Sequence, residues 1–547
     1  MLLVGLLYAV LLWPAVVLAA FGYKDDGTNY VIDSGAKLVI KVNKGSGDIV
    51  SMLYGGVEYN GYDRKNTQVE SGLGASTVTI QQFSSPSAII KVTVTHGTLK
   101  HYLFVRYGNN NVYIFTNKKD ASVTASRYIV RFPPGMWNSQ HSSQDADWYD
   151  SSTFIESQDI TADSNGYTES KHYTGNTYGR TIDYDYVGYS SGSVGVWMVR
   201  SNHEKASGGP FFRSLLRRGS SGGSDIYEIY HYNMGHTDVE RFGLQGPHVL
   251  SFTDGGPPNN ALFARKADWG WFDTLGIDGW VPASGRGYAS GVGLANMKSG
   301  YTYVVGLSNN DAQYWGTAGS TGVWSIYGVL PGTYTLTVYK SELEVYKGSV
   351  TINAGAGTAV HTLTCDDPAD DVAIWRIGEW DGTPKGFLNF ADTPMKPTYM
   401  HPSDKRLSNW DASNYIVGTS TPSIFPGYIW QAINNDHIVY FKLTVDQLTK
   451  AHTIRIGITE AYIGGRPMIS VNGWKSSVTP ATNQASTRSL TVGTYRGNNV
   501  MLTWEVPASA WIQSTSEWQV LTISVITGSS GTGYLSGAIS VDAVDFL

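Results

Sequence analysis

Apolar and polar residues alternate along most of this chain, and glycine interrupts the alternation at short intervals. Residues 38–52 (LVIKVNKGSGDIVSM) read as a strand, a Gly-Ser-Gly turn and a second strand. Residues 87–116 contain AIIKVTVTHGTLKHYLFVRYGNNNVYIF, in which Gly97 and the cluster from Gly108 to Asn111 punctuate three more. Beyond residue 20, no window of about twelve residues carries an apolar stripe at helical spacing. Strand after strand joined by short turns predicts sandwiches rather than βαβ units. The expected fold class is all-β.

Texture changes divide the chain. A Trp-rich connector (Trp269, Trp271, Phe272, Trp280) leads to Pro282, and residues 285–364 then form a compact unit. There Pro331-Gly332 turns one strand into another, and Tyr334, Leu336 and Val338 alternate inward. The size and pattern suit a small seven-strand sandwich. The acidic stretch from Cys365 to Asp371 reads as a linker, and the remainder is long enough for a jelly roll. The expected domains are 20–280, 281–365 and 366–547. Residues 1–19 are expected to be a signal peptide, cleaved after Ala19 or Ala20. The apolar run is short for a membrane span and Pro14 interrupts it. Export to the cell exterior follows from that expectation, with no membrane partner.

Composition narrows the function. Hydrophobic residues make up 41% and charged ones 15%, with 62 Gly, 35 Tyr and 17 Trp in 547 residues. Such a chain builds short strands and tight turns, or surfaces that stack on sugar rings; composition does not choose between them. A net charge of −6 argues against an electrostatic nucleic-acid binder. With Cys365 as the single cysteine, no intrachain disulfide forms, and no Asn-x-Ser/Thr sequon occurs.

Elimination on a uronate polymer makes a definite chemical demand. The proton at C5, beside the carboxylate, must leave, and so must the oxygen at C4. A cation on the carboxylate acidifies C5 and stabilises the enolate-like transition state. A base must reach C5, and a proton donor should serve the leaving oxygen. In SRYIVRF (126–132), Arg127 and Arg131 are four apart, on one side of a strand. Spacing alone favours a solvated or salt-bridged sheet face. In IYEIYHYNMGH (226–236), Tyr230 and Tyr232 share a strand face before a turn that presents His236; the bland alternative is a surface aromatic pair and a loop histidine. Lys171, in TESKHYTGNTYGR, lies in a polar and aromatic loop, where a lone lysine is usually solvated. His-Glu-x-x-His and Gly-Lys-Ser signatures are absent. A glycosidase carboxylate pair stays open among 45 Asp and Glu residues.

Several strings together resemble the rhamnogalacturonan lyases of polysaccharide lyase family 4. They are SGDIVSMLYGGVEYNG (46–61), SGGPFFRSL (207–215), RFGLQGPH (241–248), IWRIGEWDGTP (374–384) and GRPMISVNG (465–473). The resemblance implies a large galactose-mutarotase-like catalytic β-sandwich, then a fibronectin-type-III-like module and a carbohydrate-binding-like jelly roll. It implies a secreted enzyme, acting as a monomer, that cleaves the rhamnose–galacturonate backbone of rhamnogalacturonan I by β-elimination. It also implies Lys171 as base and His236 in proton transfer or hydrogen bonding at the leaving oxygen. Arg127, Arg131, Tyr230 and Tyr232 would bind substrate. A neutral Lys171 calls for burial or neighbouring cations. The stretch YHYNMGH is one residue shorter than the family form, and the cysteine pair of fungal members is missing. No cofactor is expected for catalysis, while a structural calcium in the last domain is left open. The rival classes are a non-catalytic carbohydrate-binding protein and a glycoside hydrolase acting on pectin.

Overall fold

A computed structural model describes residues 21–62, 64–137, 153–156, 160–170, 180–183, 185–212, 217–220, 223–232, 238–263, 268–390, 401–481, 499–527 and 532–547. Strands dominate, and the one α-helix among the described residues is the single turn Val445–Leu448. No helix there is long and apolar enough to cross a membrane.

The first domain opens with a meander of β1 (Gly22–Asp25), β2 (Asn29–Asp33), β3 (Leu38–Asn43), β4 (Ile49–Tyr54) and β5 (Val57–Glu58). The turn between β3 and β4 is the one the sequence marks. Gly47 has φ +79°, and a Cβ there would stand 2.3 Å from a Val94 methyl, so only glycine fits. There follow β6 (Gln68–Val69), β7 (Thr77–Phe83), β8 (Ile89–His96), β9 (Leu99–Arg106), β10 (Asn111–Lys118), β11 (Ala125–Phe132), β12 (Thr153–Glu156), β13 (Ile160–Ala162) and β14 (Thr168–Ser170). The domain's last strands are β15 (Tyr186–Ser190), β16 (Gly195–Arg200), β17 (Arg217–Ser220), β18 (Gly223–Tyr232) and β19 (Gly243–Thr253).

These build a seven-stranded sheet in the order β15-β16-β19-β10-β9-β8-β7 and a four-stranded sheet β17-β18-β11-β6, with a small sheet β12-β13-β14 beside them. The seven-stranded sheet is covered on both faces, which is why its central strands read as near-continuous apolar runs. One face packs Val92, Leu103, Ile114, Met198 and Leu250 against Ile40 and Met52 of the meander and Val130, Phe132 and Ile226 of the four-stranded sheet. The other packs Phe104, Phe115 and Val249 on Phe272, Leu275 and Ile277. The Trp-rich segment that marks a boundary in the sequence is therefore a lid on this sheet, with the Phe272 ring 4.8 Å from that of Phe115.

In the second domain, strands Gln313–Thr317, Tyr303–Ser308, Gly332–Lys340 and Leu343–Ile352 form one sheet. Tyr334, Leu336 and Val338 face its core. The third domain is a pair of five-stranded sheets around a core rich in aromatics, including Trp375, Trp410, Trp430, Trp511 and Phe546. These five rings are buried, so much of the chain's aromatic content builds sandwiches rather than sugar-binding surfaces. The acidic stretch 365–371 also departs from expectation. It is not a free linker, because its carboxylates meet cations from the folded units on either side. Asp367 pairs with Lys340, both buried, and Asp371 accepts from Arg455 at 2.6 Å.

Candidate active site in the first domain

Arg127, Arg131, Tyr230 and Tyr232 lie on the four-stranded sheet, where β11 and β18 run antiparallel. Alternation sends Tyr128, Val130 and Phe132 into the core and turns Arg127, Ile129 and Arg131 to the opposite face. The two arginines therefore share a side, as their spacing predicts. Arg127 is held by Glu70, which accepts at 2.7 Å from Nε and 3.1 Å from Nη2, and its guanidinium lies 5.7 Å from the centre of the Tyr227 ring. Arg131 is buried, with Nη1 donating to the Asn66 carbonyl at 2.6 Å. The salt-bridged sheet face is thus realised for Arg127. A guanidinium pinned by a bidentate carboxylate is also pre-aimed, with little side-chain entropy left to lose.

Glu70 is a residue that pattern reading misses. Its backbone has φ 53°, a region a glutamate rarely occupies, and its N–H donates to the Arg127 carbonyl at 2.8 Å. The turn after β6 holds a strained conformation in contact with a candidate arginine from both backbone and side chain. The sequence carries no signal for this, because Glu70 is 57 residues from Arg127.

Tyr230 sits elsewhere than expected. The β11–β18 register shifts between Ser126 and Arg127, pairing them with His231 and Ile229 and leaving Tyr230 as the extra residue of a bulge. Its ring is 2% exposed and packs 4.8 Å from the His248 ring of the seven-stranded sheet. The expected surface tyrosine is instead an interior one, on the face opposite the arginines, closed to direct contact with a polymer. The β18 strand of Tyr232 is described, but its side chain lies outside the described residues.

Behind Tyr230 the inter-sheet space turns polar. Three pairs cross it: Tyr230 with His248, Tyr128 stacked on His101 at 5.4 Å, and Glu228 with Arg200 at 2.9 and 3.0 Å. Burial holds the His101 and His248 imidazoles down at about 3, and so neutral. Burial likewise pushes the Glu228 carboxyl up, against the opposing pull of Arg200.

Lys171 and His236 lie outside the described residues, and the description stops at the residues that flank them in sequence. β14 ends at Ser170, one residue before Lys171. On the far side of His236, Asp238 accepts from Gly208 N–H at 3.2 Å and from Arg241 at 2.7 Å. The Ser207 hydroxyl donates to the Val239 carbonyl at 2.9 Å and lies 3.2 Å from His231 Nδ1. The SGGPFF string thus contacts Asp238 and Val239 through Ser207 and Gly208. Lys205, two residues before that string, donates to the Asp311 carbonyl at 2.7 Å, and burial lowers its pKa. Among the described residues, no group of three or more His, Cys, Asp or Glu side chains is arranged to hold a metal ion.

Comparison with known proteins adds a separate line. Residues 21–279 match the family described as "Rhamnogalacturonan lyase B, N-terminal". Residues 285–360 match domain II of polysaccharide lyase family 4, and residues 373–546 match its domain III. Rhamnogalacturonate lyase A of Emericella nidulans is 36% identical over 546 residues, covering 99% of this chain and 98% of that protein. Rhamnogalacturonate lyase A of Aspergillus aculeatus is 34% identical over 550 residues, covering 100% and 99%.

Proposed function

This chain belongs to polysaccharide lyase family 4 and is a pectin-cleaving polysaccharide lyase, and we propose that it acts outside the cell on the rhamnogalacturonan I backbone by β-elimination. The likeness to rhamnogalacturonate lyases over nearly the whole chain carries this reading. The arginine pair on one face of β11 supports it. Arg127 and Arg131 neutralise the galacturonate carboxylate, which acidifies the C5 proton. The neutral Lys171 amine takes that proton, its electron pair forms the C4–C5 double bond, and the C4–O bond breaks. The departing oxygen, served by His236 through proton transfer or a hydrogen bond, takes up a proton and ends as the hydroxyl of rhamnose at a new reducing end; the galacturonate keeps the double bond at the new non-reducing end. Tyr232 contacts the sugar, while Tyr230 supports β18 from beneath. Charge neutralisation by arginine supplies what a cation would, so no cofactor enters these steps.

The test is to incubate the full chain with rhamnogalacturonan I and follow ultraviolet absorbance from unsaturated uronate. Lys171→Ala should lower kcat about 100- to 10,000-fold with KM little changed. New reducing ends without that absorbance would mean hydrolysis. A folded Lys171→Ala protein with near-normal kcat would move the base to another residue, Lys205 first.

A further inference from the structure

The second domain carries an exposed aromatic face that the cleavage steps do not use. Besides the sheet described above it has one in the strand order Trp324–Val329, Gly287–Gly291, Gly357–Val360. Ala289, Trp324 and Ile326 point from it into the core. Alternation turns Tyr288, Ser290, Ser325 and Tyr327 outward. Tyr288 and Tyr327 stand opposite each other in the register, with ring centres 5.3 Å apart and planes inclined by 33°. Tyr288 is 40% exposed and Tyr327 70%, the most exposed aromatic ring among the described residues. By the same alternation the face continues to Val292 and Val323, both exposed.

Two glycines shape this face, each at a cost to the strand that holds it. Gly328, at φ +69°, is the extra residue of a bulge between Tyr327 and Val329, and the bulge sets Tyr327 opposite Tyr288. Gly357 pairs with Tyr288 on the third strand, where a Cβ would stand 2.2 Å from Tyr288 Cζ. The Tyr288 ring therefore lies down across that strand instead of standing off the sheet. A tyrosine pair that only stabilised the sheet would need neither device. The bulge is also tied to the first domain, because Arg286 donates to the Gly328 carbonyl at 2.8 Å and to Glu204 at 2.7 Å.

We propose that Tyr288 and Tyr327 form a platform that binds an uncharged pyranose of the pectin chain, of galactose type. One face of such a ring presents C–H bonds that rest on an aromatic plane, and its rim hydroxyls meet the tyrosine O–H groups. Charge decides against a uronate. None of the residues in these three strands is charged, so a carboxylate laid here would meet no cation, whereas β11 carries Arg127 and Arg131. The second domain then holds the polymer by its neutral sugars, on a surface fixed to the first domain through Arg286 and Glu204.

The test is titration calorimetry of the full chain with a galactose tetrasaccharide and a galacturonate tetrasaccharide, whose rings share a configuration and differ at C6. The expected result is binding of the galactose probe, weakened about 3- to 10-fold by Tyr327→Ala and by Tyr288→Ala. Tyr327→Phe should stay within about twofold of the parent. Gly357→Ala, which lifts the Tyr288 ring and removes no aromatic, should also weaken binding. Tyr327 is exposed enough for its loss to leave the fold intact, so Tyr327→Ala decides if the other variants fail to fold. No binding of the galactose probe overturns the proposal, as does binding that Tyr327→Ala leaves unchanged. A galacturonate probe that loses more affinity than the galactose probe in Tyr327→Ala makes the ligand anionic and overturns it too. Sedimentation covers the remaining occupant: self-association of the parent that disappears in Tyr327→Ala would make this face an interface between copies. The galactose probe has no carboxylate and is not open to elimination, so its binding stands or falls independently of the cleavage chemistry proposed above.

Discussion

The interiors of the first and third domains are built on opposite principles. Both are two-sheet sandwiches, and in both the inward-facing positions follow strand alternation. In the third domain those positions are filled by Trp375, Trp430, Ile454, Ile456, Ile539 and Phe546, with aromatic rings packed edge to face. In the first domain the apolar filling stops partway along the sheets. His101, Arg200, Glu228, Tyr230 and His248 occupy the rest, all buried. The third domain's inter-sheet core is apolar, and its buried ionic groups, among them Arg455 with Asp545 and the carboxyls of Asp381 and Asp542, lie outside that cluster. The first domain spends part of its core on groups that are costly to bury, beneath the strand that runs toward His236.

The largest test of that contrast is Arg200→Met. Arg200 and Glu228 are both essentially without solvent contact. Removing the cation leaves a buried carboxylate without its counter-charge, which typically costs about 3–5 kcal/mol. Adding Glu228→Gln should recover a large part of that loss, because the cost lies in the orphaned charge rather than in the missing pair. Denaturant unfolding of the three proteins checks this. If the double variant is as unstable as the sum of the singles, the polar interior is not organised around this pair.

The second test is pH. An imidazole with a folded pKa below its ordinary 6.5 stays neutral in the fold while the unfolded chain takes up a proton. The stability it contributes is present above 6.5 and is lost as pH falls toward the folded value. His101 and His248 are depressed to about 3 and His203 is also well below 6.5, all by burial. Each can remove up to about 1.4 kcal/mol per pH unit below 6.5. Glu228 and Asp48, both pushed up by burial, oppose them. In the third domain the two signs meet more evenly. His437 is lowered to about 4 by burial. Asp381, raised to about 6 by burial, loses stability as pH rises toward that value. Calorimetry between pH 7.5 and 5 should therefore show the first domain's transition falling steeply and the third's moving little. His248→Gln should reduce the first domain's slope by about one proton.

Much of this organisation is legible in the sequence. Period-two alternation gives the sheets, Gly47 gives its turn, and the four-residue spacing of Arg127 and Arg131 gives their common face. What is not legible comes from contacts between distant segments. The bulge that turns Tyr230 inward depends on how β11 and β18 register. Glu70 reaches Arg127 only because β6 pairs with β11. The Trp269–Trp280 run reads as a boundary, since nothing local says that a sheet face waits beneath it. Asp404 accepts from the Thr168 N–H at 2.5 Å across 236 residues, and no periodicity links them. Strand patterning reports what each segment does to its own neighbours, and the site is assembled from the contacts it leaves out.

The smallest test removes one methyl from the third domain's core. Ile456 is fully buried among Trp375, Val544 and Phe546, remote in kind from any titrating group. Ile456→Val should cost about 1 kcal/mol, the lost transfer energy plus a small cavity. The informative part is its pH dependence. An apolar truncation changes no proton count, so the cost should be the same at pH 5.5 and 7.5 when measured by urea unfolding. A cost that doubles on acidification would mean that the third domain's core is coupled to the Asp381 and Asp542 carboxyls at its seam with the second domain. The division into an apolar interior and a polar one would then be a difference of degree only.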